Sequence, residues 1–345
     1  MLVVSDLKHM SQYKTFKKKN VVVTGVAGFI GSHLAERLAQ HHQVIGLDDF
    51  SHGQVGNLEA LLQSPDFIFL KHDLNEALDL ESFPELSRFQ IKYQGVQEIY
   101  HLACPTSARE FDRYRLDTLK ANSRLMTNIL DLAVKYQARF LHASSSVVYG
   151  PRPPQNTYFR EEDWGEVNTL SPRACYDEGK RFAETCVSTY AQVHGLETRL
   201  ARIFRTYGPR LRLQDGQMLS DFIIQALEGD DLVIYGSKDF STSLTYVSDM
   251  VEGLVRLMAA DSDPGPINFG VQQDYNLAEV AQTVIDAVGS DSKIVFHEPL
   301  PFMTPLGLPD IRKAKEVLGW LPVVSLKDGI EKTIDYVRAT KILKS

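Results

Sequence analysis

Cysteine is scarce in this chain of 345 residues, which has three: Cys104, Cys175 and Cys186. Their spacing is not that of a zinc site, and the odd number argues against a disulfide framework. Because such a chain suits a reducing compartment, we expect a cytoplasmic protein. Cys175 is followed by Tyr176, but a buried and inert thiol is the commoner state of a single cysteine.

Long apolar runs and an excess of basic residues are also missing. No run approaches the ~20 apolar residues that span a bilayer. Residues 1–19 combine a short apolar stretch with several lysines, too weakly hydrophobic for a secretory signal, so we expect a basic tail there. Lysine and arginine number 37 against 44 acidic residues, a formal net charge of −7. We therefore expect neither nucleic-acid nor membrane partners.

Strand-like and helix-like segments alternate over the first 206 residues. The β-branched run at Asn20–Thr24 predicts a strand buried on both faces. This alternation is typical of an α/β fold with a doubly wound parallel sheet of the Rossmann type. The further predicted strands are 43–48, 67–71, 98–103, 139–144 and 198–204, and the predicted helices are 29–40, 116–136 and a tyrosine-bearing helix that continues to residue 194.

Three glycines, Gly25, Gly28 and Gly31, lie between the first strand and the first helix. This G-x-x-G-x-x-G spacing permits a tight turn and lets a dinucleotide pyrophosphate approach the helix N-terminus. Asp48 ends the next strand, 17 residues after Gly31. An acid at that place holds the ribose hydroxyls and repels a 2′-phosphate, which predicts NAD rather than NADP. No metal is expected, because His101 has no second ligand at a useful spacing.

A Tyr-x-x-x-Lys pair, Tyr176 and Lys180, lies in the predicted helix that ends near residue 194. Positions four apart share one face of a helix, so the lysine charge favours the phenolate of the tyrosine. A free tyrosine titrates near ~10, too high for a good base at neutral pH. The pair therefore predicts an enzyme that takes a proton from a substrate hydroxyl.

These segments resemble the extended short-chain dehydrogenases/reductases, and within them the UDP-glucuronate decarboxylase (UDP-xylose synthase) branch. The similarity runs from about residue 20 to about residue 336. The most specific stretches are TGVAGFIGSHL from Thr24, IYHLA from Ile99, SPRACYDEGKRFAET from Ser171, ARIF-x-T-x-GPR from Ala201, YVSDMVEGL from Tyr246 and PDIRKAKEVLGW from Pro309.

The resemblance implies a bound NAD that is reduced and reoxidised within one turnover. Tyr176 would remove the proton of a sugar 4-hydroxyl, Lys180 would tune Tyr176, and Ser145 would hydrogen-bond the reacting oxygen. Asn122 would support Lys180 through a water. The resulting 4-ketone would make the sugar carboxylate a β-keto acid, which loses CO₂ readily. The resemblance also implies a homodimer.

The predicted site residues form three groups. Catalysis is assigned to Tyr176, Lys180 and Ser145. Cofactor binding is assigned to Gly25, Gly28, Phe29, Ile30, Gly31, Asp48, Asp49, Phe50, Gly53, Asp73, Leu74, Leu102, Ala103, Asn122, Tyr176 and Lys180. Substrate binding is assigned to Ser146, Arg205, Tyr235 and Thr242. The predicted domains are the tail at 1–19, an NAD-binding Rossmann domain at 20–206, and a mainly substrate-binding lobe at 207–345 with segments that return to the first domain.

The substrate half departs from the family pattern at four positions. Val147 stands where the family has a glutamate, Thr242 and Gly307 where it has arginines that clamp a diphosphate, and Arg205 where it has an asparagine. Neither threonine nor glycine can make the bidentate bonds of arginine. We therefore predict a decarboxylase-like enzyme whose substrate, a carboxylated sugar or sugar-like metabolite, differs from an ordinary UDP-sugar.

Two alternatives stay open at this point. The first is an NAD-dependent epimerase or dehydrogenase that keeps the carboxyl group, which the loss of the glutamate at Val147 favours. The second is a non-catalytic NAD-binding protein, which the lost arginines permit and the intact Ser145, Tyr176 and Lys180 oppose.

Overall fold

The computed structural model describes residues 18–106, 112–153, 157–213, 216–299 and 306–342. Most of the basic tail predicted for residues 1–19 lies outside these ranges. The strands are β1 (Asn20–Thr24), β2 (Gln43–Asp48), β3 (Phe67–Lys71), β4 (Glu98–His101), β5 (Arg139–Ser145), β6 (Tyr158–Phe159), β7 (Thr198–Ile203), β8 (Thr206–Tyr207), β9 (Leu232–Tyr235), β10 (Ser241–Thr242), β11 (Thr245–Tyr246), β12 (Ile267–Phe269), β13 (Tyr275–Asn276), β14 (Ile294–His297) and β15 (Leu308–Pro309).

The α-helices are α1 (Phe29–Ala39), α2 (Ile91–Gln94), α3 (Arg115–Ala121), α4 (Arg124–Tyr136), α5 (Ala174–His194), α6 (Met218–Glu228), α7 (Val247–Ala259), α8 (Leu277–Val288), α9 (Arg312–Leu318) and α10 (Leu326–Ile342). Short 3-10 helices occupy Val55–Leu58, Leu61–Gln63, Leu80–Ser82, Pro84–Phe89 and Ser146–Tyr149. Within the described ranges, no helix has the length and apolar character needed to cross a bilayer.

Seven parallel strands form the central sheet, in the order β12-β7-β5-β4-β1-β2-β3. The predicted doubly wound α/β fold is therefore confirmed. All five residues of β1 are buried, as its unbroken β-branched sequence predicts. The strand order reverses between β1 and β4, and such a reversal opens a crevice at the carboxyl ends of the strands. The glycine loop after β1 lies at that crevice.

A hydrogen-bonded cluster fixes the ends of β1 and β4 beside the crevice. The Thr24 hydroxyl oxygen accepts from the backbone N–H groups of Leu102 (3.1 Å) and Ala103 (3.2 Å). Its own hydrogen is therefore free to bond Nδ1 of His101, 2.8 Å away. Burial lowers the pKa of His101 to about 3, so the ring is neutral. His101 is thus a core histidine that bonds Thr24, whose hydroxyl in turn anchors Leu102 and Ala103.

The single helix predicted for residues 116–136 is wrong, because the chain forms α3 and α4 with a break at Asn122 and Ser123. Asn122 donates from its side chain to the carbonyl of Thr118 (2.8 Å), and Ser123 donates to the carbonyl of Leu119 (2.7 Å). Such short polar side chains compete with the helical backbone. The break also lets Asn122 pack on α5, where a Cβ at Gly179 would lie 3.0 Å from its amide nitrogen.

The region after Tyr207 contributes both to a separate set of small sheets and to the central sheet. β9 pairs with β14 and β10 with β13, whereas β12 adds to the central sheet beside β7. Asn268 of β12 accepts from the Tyr149 hydroxyl (2.8 Å) and donates to the carbonyl of Phe159 (3.0 Å). The late strand is thereby tied to the loops that follow β5. The domain division at residue 206 stays a prediction.

Candidate active site

A cavity of about 650 Å³ lies at the carboxyl ends of the central strands and beneath the region that follows β7. It brings together most of the predicted site residues: Gly25, Gly28, Phe29, Ile30, Gly31, Asp48, Asp49, Gly53, Asp73, Leu74, Leu102, Ala103, Ser145, Ser146, Tyr176, Lys180, Arg205 and Tyr235 line it. Phe50, Asn122 and Thr242 are not among its lining residues.

The glycine loop has the shape that its spacing predicts. Gly25 has a φ of +68°, which glycine adopts without strain, and a Cβ at Gly31 would lie only 2.1 Å from the carbonyl oxygen of Gly25. Glycine at position 31 therefore lets α1 begin directly against the loop. The first turn of α1 carries no acid, so its N–H groups suit a pyrophosphate.

Asp48 is held rigidly at the end of β2. Its Oδ2 accepts from the backbone N–H of Ala27 (3.0 Å), and its Oδ1 accepts from that of Phe50 (2.8 Å). Burial raises the pKa of Asp48, and these two bonds lower it. The backbone of Phe50 has a φ of +64°, and its ring packs against Phe69, with ring centroids 5.0 Å apart, and does not line the cavity. Its role is therefore to shape the loop around Asp48.

The predicted catalytic residues converge on one wall of the cavity. Lys180 is 4% exposed, and its Nζ donates to the carbonyl of Ala143 (2.8 Å), next to Ser145 on β5. Burial raises the pKa of Tyr176, and the nearby Cys104 thiol adds to this rise. A hydrogen bond with Ser145 and the charge of Arg173 lower it. Burial also lowers the pKa of Lys180.

Asn122 contacts the site through Cys104. Its amide nitrogen donates to the Cys104 sulfur (3.3 Å) as well as to Thr118, so the predicted water link to Lys180 stays a prediction. Sequence reasoning missed Cys104 and Arg173. Both could have been suspected by position, because Cys104 follows β4 at the sheet edge that carries the site. Arg173 precedes Tyr176 by three residues, and its guanidinium lies 5.4 Å from the tyrosine ring centroid.

Two of the departures from the family pattern lie away from the cavity wall. Thr242 is 4% exposed in β10, and its hydroxyl donates to the carbonyl of Ser243 (3.4 Å), outside the cavity. At Gly307, a Cβ would lie 2.6 Å from the Phe159 ring, which fills the space a side chain would need. Val147 lines the cavity and is 3% exposed. Neither position 242 nor position 307 therefore offers the cavity a group that could replace the family's arginine.

The NAD dependent epimerase/dehydratase family matches this chain over residues 21–278. The chain belongs to that family. The geometry of the site agrees with this family assignment, since the glycine loop, Asp48 and the Tyr176–Lys180 pair line one cavity. As a member of the epimerase/dehydratase family, the chain is an NAD-dependent enzyme, and the predicted cofactor is confirmed.

Two curated relatives are named as UDP-glucuronic acid decarboxylases. UDP-glucuronic acid decarboxylase 1 of Xenopus tropicalis is 42% identical over 322 residues, which cover 93% of this chain and 72% of the relative. UDP-glucuronic acid decarboxylase 6 of Arabidopsis thaliana is 42% identical over 315 residues, which cover 90% of this chain and 86% of the relative. The predicted resemblance to these decarboxylases is confirmed.

A solved structure shows the same fold with ligands bound. UDP-glucuronic acid 4-epimerase from Bacillus cereus, in complex with UDP-glucuronic acid and NAD, is 26% identical with a TM-score of 0.80. The match covers 93% of this chain and 99% of that one.

Proposed function

We propose that this enzyme oxidises a hydroxyl of a nucleotide-linked sugar acid and that the resulting β-keto acid loses CO₂. One observation carries the proposal. Tyr176 is hydrogen-bonded to Ser145 and lies near the buried Lys180, in the same cavity as the glycine loop and Asp48. Proton transfer and dinucleotide binding are thereby combined in one site.

Each side chain has a defined part in the oxidation. The glycine loop and Asp48 would hold NAD⁺, which would accept the hydride. Tyr176 accepts the proton of the substrate hydroxyl, and Ser145 orients the reacting oxygen by a hydrogen bond. Lys180, held by the Ala143 carbonyl, lies one helical turn after Tyr176, and in our proposal its charge stabilises the phenolate that forms on proton loss.

The relatives support loss of CO₂ as the second step. A ketone placed β to a carboxylate delocalises the electron pair that the departing CO₂ leaves behind, so the step needs little help once oxidation has occurred. The curated relatives described above are named as decarboxylases of UDP-glucuronic acid. We therefore place a carboxylated nucleotide sugar first among substrates.

A second candidate function is oxidation without decarboxylation, as in an epimerase or dehydrogenase. Val147 favours it, because this cavity-lining residue is apolar and 3% exposed where the resemblance places a glutamate beside the sugar. The B. cereus structure named above shows that the family fold also serves a 4-epimerase. The carboxyl carbon of the product distinguishes the two functions.

The test is mass spectrometry of the protein incubated with NAD⁺ and UDP-glucuronate labelled at the carboxyl carbon. We expect UDP-xylose or its 4-keto precursor together with labelled CO₂, and at least a ~100-fold lower rate in Tyr176→Phe. Tyr190→Phe on the same helix is the matched control, because the hydroxyl of Tyr190 bonds Asp131 on α4 instead.

Each alternative gives a different result in this experiment. A product that keeps the label favours the second candidate. No conversion at all, with NAD still bound, excludes UDP-glucuronate as the substrate and supports a different sugar acid or a non-catalytic protein. The same incubation tests whether the carrier differs from an ordinary UDP conjugate.

We also propose a homodimer in the cytoplasm. The apolar side chains Leu116 and Leu119 on α3 and Phe182 and Val193 on α5 are 49–70% exposed, and α3 packs on α5. A second copy would cover this surface. Analytical ultracentrifugation should show a dimer for the wild type and for the control Val323→Glu, and a monomer for Phe182→Glu. The cytoplasmic location is supported by the three free cysteines.

A further inference from the structure

The substrate end of the cavity has an unusual distribution of charge. The cavity-lining residues from β7 onward include three arginines, Arg205, Arg210 and Arg212, and no carboxylate among those that the structure describes. This side of the cavity is therefore suited to an anion. The two family arginines that would be expected to hold one are replaced by Thr242 and Gly307.

Arg205 differs from its neighbours in having no acidic contact within the described ranges. Arg210 binds Glu36 at 2.6 Å, and Arg173 binds Asp177 at 3.1 Å. The guanidinium of Arg205 donates to the sulfur of Met218 at 3.5 Å, which is a weak acceptor. Burial, with a contribution from the charge of Arg173, lowers the pKa of Arg205 to about 10, a value at which it is still charged near neutral pH.

Arg205 is half-buried in the cavity wall, and a cation removed from much of its water without an acidic partner is costly unless an anion joins it. We propose that Arg205 binds the diphosphate of the nucleotide-linked substrate and so replaces the clamp lost at positions 242 and 307. The proposal rests on the proposed function, because it takes the substrate to be a nucleotide sugar. The residue itself departs from the family pattern, in which an asparagine stands at this position.

Two arguments favour the diphosphate over the sugar carboxylate. An arginine paired with the carboxylate would stabilise the ground state more than the transition state for loss of CO₂, in which negative charge leaves that group. In addition, Arg210 and Arg212 line the same cavity as Arg205. Several guanidinium groups in one cavity match an extended anion with several oxygens better than a single carboxylate.

The test measures binding separately from turnover. All proteins carry Tyr176→Phe and are saturated with NAD, so binding is measured whether or not the wild-type protein turns the ligand over. Isothermal titration calorimetry compares UDP-glucuronate with UDP-glucose, which has the diphosphate and lacks the carboxylate. The variants are Arg205→Asn, Arg205→Lys and the control Arg338→Asn, which removes an exposed arginine of α10 outside the cavity.

We expect Arg205→Asn to weaken the binding of UDP-glucuronate and of UDP-glucose by a similar factor, roughly tenfold or more. Arg205→Lys should recover part of the loss, because it keeps the charge but not the two-pronged geometry. Arg338→Asn should bind as the parent does, and NAD affinity should be unchanged in every variant.

Three results would overturn the proposal. A loss confined to UDP-glucuronate would assign Arg205 to the carboxylate instead. Unchanged binding of both ligands to Arg205→Asn would remove Arg205 from the substrate site. Failure of the parent protein to bind either ligand would show that the cavity does not take a nucleotide diphosphate.

Discussion

The carboxylate of Glu184 holds the guanidinium of Arg202 by two hydrogen bonds, 3.0 Å from Nε and 2.8 Å from Nη2. Glu184 lies one helical turn after Lys180 on α5, and Arg202 lies on β7. The hydroxyl of Ser144 on β5 also donates to Glu184, at 2.6 Å. The pair therefore fixes the catalytic helix against two neighbouring strands and sets where Tyr176 stands relative to Ser145.

The first prediction concerns the stability of this connection. Glu184→Ala should lower the free energy of unfolding by about 3 kcal/mol, because it leaves the Arg202 charge buried without its partner. Urea unfolding followed by circular dichroism measures the change. The matched control is Glu252→Ala, whose exposed pair with Arg256 should contribute less than about 1 kcal/mol. Equal effects of the two substitutions would contradict the structural role of Glu184.

The second prediction concerns the pH dependence of proton abstraction. Since burial raises the pKa of Tyr176, the phenol is protonated at neutral pH, and kcat/KM should rise as the pH increases. Ser145→Ala removes the hydrogen bond that lowers this pKa, so the rise should move to higher pH. Ser145→Thr keeps the hydroxyl and should leave the profile in place. A shift in the opposite direction for Ser145→Ala would rule out this account.

The third prediction concerns the choice of dinucleotide. Asp48→Asn removes a charge while keeping a side-chain oxygen that can accept from the backbone N–H of Ala27 or Phe50. Without the repulsion between the Asp48 carboxylate and the 2′-phosphate of NADP, the affinity for NADP relative to NAD should rise by at least roughly tenfold. Fluorescence titration with both dinucleotides measures the ratio. If the ratio does not move, Asp48 is not the residue that rejects a 2′-phosphate.

The fourth prediction concerns the space at Gly307. Gly307→Ala should lower the free energy of unfolding by about 1–3 kcal/mol, because the added Cβ would lie 2.6 Å from the Phe159 ring in a packed region. Gly56→Ala is the control, since its nearest neighbour, the flexible carboxylate end of Glu59, is 3.9 Å away. Thermal unfolding of both variants tests the difference. A Gly307→Ala protein as stable as the control would show that Phe159 yields easily and that an arginine could be accommodated there.

Features that depend on a local pattern could be predicted from the amino-acid sequence. The observed bounds of β1, β2 and β3 coincide with the predicted ones, because buried parallel strands read as unbroken apolar runs. The glycine loop and the Tyr176–Lys180 pair could likewise be predicted from their spacing in the sequence. A turn between strand and helix, or one face of one helix, requires only neighbours in sequence.

Features that depend on contacts between distant segments could not be predicted from the sequence and follow from the fold. The contact of Asn122, at the end of α3, with Cys104, which follows β4, joins segments that are 18 residues apart in the sequence. Thr242 lies outside the cavity because β10 pairs with β13, whereas Arg205 lines the cavity because β7 ends at its mouth. No local sequence pattern predicts that Arg205 lines the cavity and Thr242 does not, because their positions depend on which strands pair across long stretches of chain.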